Sequence, residues 1–234
     1  MKAKNIAILL AGGSGTRYCA NRPKQFLPLG DGRTVLEHCI RAFHASPLID
    51  RIVIAVRQDY VAEVQRMAEP YPKVTDIVCG GRERYESSTH ALEVCTGDDD
   101  LLLFHDAVRP FLSSDLIRRL VEAAEGGRCV AAAMPATDTI VRADGEGRLV
   151  ETLRRSELWC MQTPQCFPRR IIAEAYRLGL QDHDFAPTDD CGVVRRYLPE
   201  VPVLLIPGEA ANIKITYPED LILAEKILQP QKNG

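Results

Sequence analysis

The stretch Leu10-Ala11-Gly12-Gly13-Ser14-Gly15-Thr16-Arg17, followed by Arg22-Pro23-Lys24-Gln25-Phe26, is the first place where residue types and spacing suggest chemistry. Glycine lets backbone come close to a ligand, and successive N–H groups in such a loop form a concave anion site. The spacing fits neither a Walker A loop, since GK[ST] is absent, nor the dinucleotide pattern GxGxxG. By itself the loop could be only a tight strand-to-helix turn. A turn, however, does not call for Arg17 and Lys24 beside it, and two cations flanking a glycine loop suit a triphosphate better than an uncharged ligand.

The second candidate is His105-Asp106-Ala107-Val108-Arg109-Pro110. Asp106 follows the apolar run Leu101–Phe104, which places it at the carboxyl end of a predicted central strand, the end where open α/β sheets bind ligands. A carboxylate there can hold Mg2+ or a substrate hydroxyl, and Arg109 can pair with it or bind a phosphate. The plainer alternative is an Asp106–Arg109 salt bridge that fixes the loop. His105 reads as structural. Asp98-Asp99-Asp100 precedes the strand, so it is expected at the opposite edge as a solvated loop and not as a metal-binding DxD. In Asn212-Ile213-Lys214-Ile215-Thr216, Lys214 alternates with two isoleucines and is expected to point off the face opposite to theirs.

These residues need a scaffold, and the chain supplies one by alternation. Strands are predicted at Ile6–Leu10, Arg51–Val56, Val74–Cys79, Leu101–His105, Cys129–Met134, Cys160–Thr163 and Val203–Ile206. Between them, helical spacing falls at Thr34–Phe43, Asp59–Ala68, Ser87–Val94, Ser113–Glu125, Arg169–Leu178, Asp190–Tyr197 and Pro218–Leu228. This is the pattern of an α/β, Rossmann-like fold, a mostly parallel sheet with helices on both faces. Thr139–Val141 and Arg148–Thr152 flank the turn Asp144-Gly145-Glu146-Gly147 and break the alternation, reading as a polar hairpin that projects from the sheet. One domain over residues 1–234, with an arm at about 137–160, is the simplest partition.

Composition narrows the partners. The 234 residues are 46% hydrophobic and 26% charged, an ordinary globular balance. A net charge of -3 lacks the basic footprint of a nucleic-acid binder, though it leaves room for a local cationic pocket. No apolar run is long enough to span a membrane. Eight cysteines without a CxxC pair read as reduced thiols, and the expected location is cytoplasmic.

AGGSGTR, RPKQF, HDAVRPF at 105–111, DT at 138–139, QTPQ at 162–165 and NIKIT at 212–216 together closely resemble the cytidylyltransferases that act on sugar-alcohol phosphates. The resemblance runs from about residue 5 to residue 228. It implies transfer of CMP from CTP, with Mg2+, to a sugar-alcohol phosphate and release of pyrophosphate. It assigns Arg17, Lys24 and Lys214 to catalysis, and Ala11, Gly12, Gly13, Ser14, Gly15, Gly80, Gly81 and Ser87 to the nucleotide. Asp106, Ala107, Arg109, Thr139, Arg155, Thr163 and Thr188 fall to the acceptor, with Asp106 also the metal ligand. The arm implies a homodimer, since in this family it crosses to a partner subunit. Arg82 is a departure, because relatives commonly carry an acidic residue there.

Two acceptors remain open at this level. Ile140-Val141 after Asp138-Thr139, the run Thr188-Asp189-Asp190-Cys191-Gly192, and Tyr217-Pro218-Glu219-Asp220 lean toward the ribitol 5-phosphate enzymes. A pentitol offers more hydroxyls, for which Asp189 or Asp190 would be partners. The alternative is 2-C-methyl-D-erythritol 4-phosphate. Less favoured readings are an inactive nucleotide-binding protein, and a nucleotidyltransferase that uses UTP or GTP.

Overall fold

The computed structural model describes residues 3–13 and 22–229. Strand β1 (Asn5–Ala11) shows why the chain's apolar runs are continuous and not alternating. Ala7, Leu9 and Ala11 pack into one buried cluster, while Ile6, Ile8 and Leu10 pack into another on the opposite face of the sheet. A strand covered on both faces has no side for water, so every position is apolar.

The chain continues through α1 (Val35–Ala45), β2 (Arg51–Val56), α2 (Val61–Ala68), β3 (Val74–Cys79), α3 (Arg84–Glu93), β4 (Leu101–Asp106), α4 (Ser114–Ala124) and β5 (Cys129–Pro135). After a separate hairpin, β6 (Val141–Ala143) and β7 (Leu149–Thr152), come β8 (Trp159–Pro168), α5 (Arg169–Gly179), α6 (Asp190–Tyr197), β9 (Val203–Pro207) and α7 (Pro218–Leu228). The main sheet has the order β3-β2-β1-β4-β8-β5-β9. Only β8 runs antiparallel to its neighbours β4 and β5; the other pairings are parallel. The α/β reading with helices on both faces therefore holds.

Caps set the helix starts where the sequence places Ser and Thr. Thr34 accepts from the Glu37 amide at 3.2 Å, and Ser113 accepts from the Leu116 amide at 2.9 Å. Asp98 and Asp99 pair with Arg169 and Arg170 at the amino end of the sheet, as expected of a surface loop. Asp100 differs from that expectation: it is buried and accepts from the Lys4 amide at 2.8 Å.

β8 is the largest departure from the expected elements, ten residues where four were read. Pro164 breaks the pattern in the sequence because it cannot donate to a ladder. In the sheet it falls where the β5 register skips between Ala131 and Ala133, a place that tolerates it. The first hairpin strand lies two residues after its expected bounds and the second starts one residue late, and the arm is less polar than it reads. Ile140, Val141, Leu149 and Val150 are all exposed on it.

Candidate active site

The carboxyl ends of β1, β3 and β4 meet where the strand order reverses, and a cavity of about 350 Å³ opens there. Two glycines make the meeting possible. A Cβ on Gly12 would stand 2.7 Å from Ser87 Oγ, and one on Gly80 would stand 3.3 Å from the Gly12 Cα. A larger residue at either place would force Ser87 or the facing loop to give way. Ser87, buried in the first turns of α3, accepts from the Gly81 amide at 3.1 Å and so ties the second loop to its own helix. Gln25 fixes the glycine loop from below: its Nε2 donates to the carbonyls of Ala11 at 2.7 Å and Gly13 at 3.0 Å.

Ala11, Gly12, Gly13, Lys24, Gly81 and Ser87 line the cavity, as does Thr188, so these expected residues are brought together. Gly80 lies just behind them. Ser14, Gly15 and Arg17 lie outside the described residues. The described lining residues include four cations, Lys24, Arg82, Arg84 and Lys214, and two carboxylates, Glu83 and Asp106. That excess of cations suits a polyanion.

Asp106 is the charge centre, and its partners differ from those expected. Arg84 Nε donates to its Oδ1 at 3.0 Å, and Lys214 Nζ donates to its Oδ2 at 2.8 Å. Burial would raise its pKa, but Arg84 and Lys214 outweigh burial and hold the carboxyl well below the usual range. The Asp106–Arg109 salt bridge is not formed. Arg109 is buried, its Nη1 donating to the Asn212 carbonyl at 2.8 Å and its Nη2 pointing to the Met161 carbonyl at 3.4 Å. Its role here is to hold the segment that carries Lys214, helped by the Ile215 amide on the Val108 carbonyl at 2.9 Å. Ile215 is buried and Lys214 turns the other way, as the alternation implied, although the segment is extended chain and not a sheet strand.

Ala107 and Thr163 are likewise beneath the cavity and not in its wall. The Ala107 amide donates to the Leu10 carbonyl at 3.1 Å, and Thr163 Oγ1 accepts from the Asp106 amide at 3.1 Å. Thr163 also meets His105 Nδ1 at 3.0 Å. Burial pushes His105 down to about 4, so its imidazole is neutral and structural. Ala107, Arg109 and Thr163 thus stand behind the cavity wall and support it, and their assignment to the acceptor stays a proposal. Thr139 and Arg155 sit on the exposed arm, away from the cavity lining, with Arg155 Nη1 donating to the Thr137 carbonyl at 3.1 Å.

Asp190 is sealed from any ligand, whereas Asp189 is half-buried with both oxygens already bonded. Asp189 caps α6 through the Gly192 amide at 2.8 Å and accepts from Gln165 at 2.8 Å. Asp190 is fully buried against Ser88, Tyr176 and Arg84. The residues the sequence reading missed are Arg84, Gln25 and Asn212. Gln25 and Asn212 stood inside quoted motifs, but only their buried contacts reveal what they do.

The donor set does not make Asp106 a resident Mg2+ ligand. Both of its oxygens already face cations, and no group of three His, Cys, Asp or Glu suited to a metal exists among the described residues. Among the described residues no helix is long and apolar enough to cross a membrane.

A glycine loop at the switch point of an α/β sheet, with Lys24, Arg82, Arg84 and Lys214 in the cavity lining, is the site of a nucleotidyltransferase. The model of the 2-C-methyl-D-erythritol 4-phosphate cytidylyltransferase (IspD) family matches residues 5–230, and the chain belongs to that family of cytidylyltransferases. It is 41% identical, over 99% of both chains, to 2-C-methyl-D-erythritol 4-phosphate cytidylyltransferase of Syntrophus aciditrophicus. It is 34% identical to the Haemophilus influenzae bifunctional ribulose 5-phosphate reductase/CDP-ribitol pyrophosphorylase Bcs1, over 99% of this chain and 50% of that protein. The crystal structure of 4-diphosphocytidyl-2C-methyl-D-erythritol synthase from Anaerococcus prevotii superposes with a TM-score of 0.85 at 30% identity, covering 97% of this chain and 99% of that one.

Proposed function

We propose that the enzyme transfers CMP from CTP to 2-C-methyl-D-erythritol 4-phosphate. A phosphate oxygen of the acceptor attacks the α-phosphorus of CTP. As that P–O bond forms, the bond to the bridging α–β oxygen breaks, and pyrophosphate leaves with the electron pair. No covalent enzyme intermediate is needed, so positioning and charge neutralisation carry the catalysis. Lys24, the loop amides and Arg17 hold the triphosphate, and Lys214 counters the charge that builds on the five-coordinate phosphorus. Magnesium, in this reading, enters with CTP on the triphosphate oxygens and is part of the substrate.

The observation that carries the choice of acceptor is the close likeness over full length to an enzyme named for methylerythritol phosphate, at 41% identity. The ribitol 5-phosphate preference drawn from loop residues loses part of its physical support, because Asp190 is sealed in the fold and Asp189 caps α6. It remains the second reading through the likeness to the CDP-ribitol enzyme. Pyrophosphate release with CTP and each acceptor tests this directly. We expect kcat/KM to favour methylerythritol phosphate at least about tenfold, and a preference for ribitol 5-phosphate would reverse the assignment.

Thr139 and Arg155 are proposed to reach the acceptor from the arm of a second subunit of a homodimer. Their absence from the cavity of their own protomer and the exposed apolar side chains of the arm both support this. The seven described cysteines are free thiols, which supports a reducing location such as the cytoplasm.

A further inference from the structure

Arg84 opens α3 directly after the glycine loop at 80–81, and its guanidinium reaches carboxylates on two other elements. Nε donates to Asp106 Oδ1 at 3.0 Å, at the end of β4. Nη1 stands 2.7 Å from Asp190 Oδ2 in the first turn of α6, an ion pair whose angles leave that oxygen without a formal hydrogen bond. Asp190 is a fixed anchor: it is fully buried, and its Oδ1 accepts from Ser88 Oγ at 2.9 Å and Tyr176 OH at 2.6 Å. At the other end, Asp106 Oδ2 accepts from Lys214 at 2.8 Å. The contacts run Asp190–Arg84–Asp106–Lys214 and join four separate parts of the fold. Thr188, in the cavity wall, lies two residues before Asp190.

Arg84 borders the cavity, yet its donors are not offered to it. Nε and Nη1 are engaged, and Nη2 is sealed from solvent without a partner. A direct contact with substrate would need the side chain to leave both carboxylates. Its planar fork can instead bridge two carboxylates on different elements, which a lysine point charge cannot do with the same geometry.

We propose that Arg84 is a positioning residue: anchored by Asp190, it orients Asp106, which in turn sets Lys214 in the cavity. The same link holds the nucleotide loop in register with Thr188 on the acceptor side. This rests on the cytidylyltransferase function. Misplacing a reacting group by about 1 Å can cost about a hundredfold in rate, so a support of this kind acts on turnover more than on binding.

The test compares Arg84→Lys, Asp190→Asn and the double variant with the parent enzyme. It uses pyrophosphate release for kcat and KM, calorimetry for CTP affinity and thermal melting for folding. Arg84→Lys is expected to lose about a hundredfold in kcat, with CTP affinity changed by less than about threefold. Asp190→Asn removes a charge but no heavy atom, and it should lower kcat in the same direction. Because both act through one link, the double variant should lose no more than Arg84→Lys alone. A parent-like kcat in either folded single variant, or losses that multiply in the double, would overturn the proposal. If Arg84→Lys does not fold, Asp190→Asn decides the matter alone. Activity of the parent is the control: its failure counts against the function, whereas an unchanged ratio of variant to parent counts against the Arg84 link.

Discussion

Lys24 and Lys214 reach the cavity from opposite ends of the chain, and they differ in what holds them. Lys214 is aimed by Asp106 at 2.8 Å, whereas Lys24 stands in the short 3₁₀ turn Lys24–Phe26, whose neighbour Gln25 is bonded to the glycine loop. Removing one preorganised donor to developing charge typically costs about 10²–10³ in rate. Lys24→Ala is therefore expected to lower kcat by at least about a hundredfold while its melting temperature stays near that of the parent. A rate close to the parent's would refute the triphosphate assignment. At this scale the sequence was generous with types and poor with pairings. The glycine loop and the cations were legible in short motifs. That Asp106 would face Arg84 and Lys214 and not Arg109 was not, because those partners lie 22 and 108 residues away along the chain.

At the scale of elements, the arm and β8 are instructive. The hairpin was visible from its turn, where Asp144 Oδ1 accepts from the amides of Glu146 and Arg148, both at 2.9 Å. Its exposed Leu149, at 66% of full exposure, makes little sense on an isolated monomer surface together with Ile140, Val141 and Val150. A two-fold partner offers a self-complementary cover. Leu149→Arg is expected to shift the protein toward monomer in analytical ultracentrifugation. Mixing Arg155→Ala with Lys24→Ala subunits should regain activity, since one site of each mixed dimer holds both intact residues. No regain after verified subunit exchange would speak against a shared site. β8 runs past Cys160–Thr163 because the register skip in β5 lets the strand pass through Pro164.

On the scale of the whole molecule, the buried histidine at the sheet's centre sets a pH limit on stability. His105 has its folded pKa pushed from 6.5 down to about 4 by burial, so the folded state binds its proton later than the unfolded state does. The stability this represents is complete above pH 6.5 and is lost as the pH falls through 4. By linkage the loss is about 3 kcal/mol at most. The melting temperature should therefore fall between pH 7 and pH 4.5, and His105→Gln should flatten that fall even though it lowers stability at pH 7. An equally steep fall in the variant would assign the acid sensitivity to other groups. The sequence by itself determined the family, the order of strands and helices, and the side chains able to handle a nucleotide, because periodicity and short motifs are local properties. The tertiary structure decided which charges meet, that Asp190 is sealed inside the fold, and that Thr163 and Arg109 stand behind the cavity wall. Those outcomes depend on the strand order β1-β4-β8 and on the packing of α3 against α5 and α6, which bring together groups that no local pattern connects.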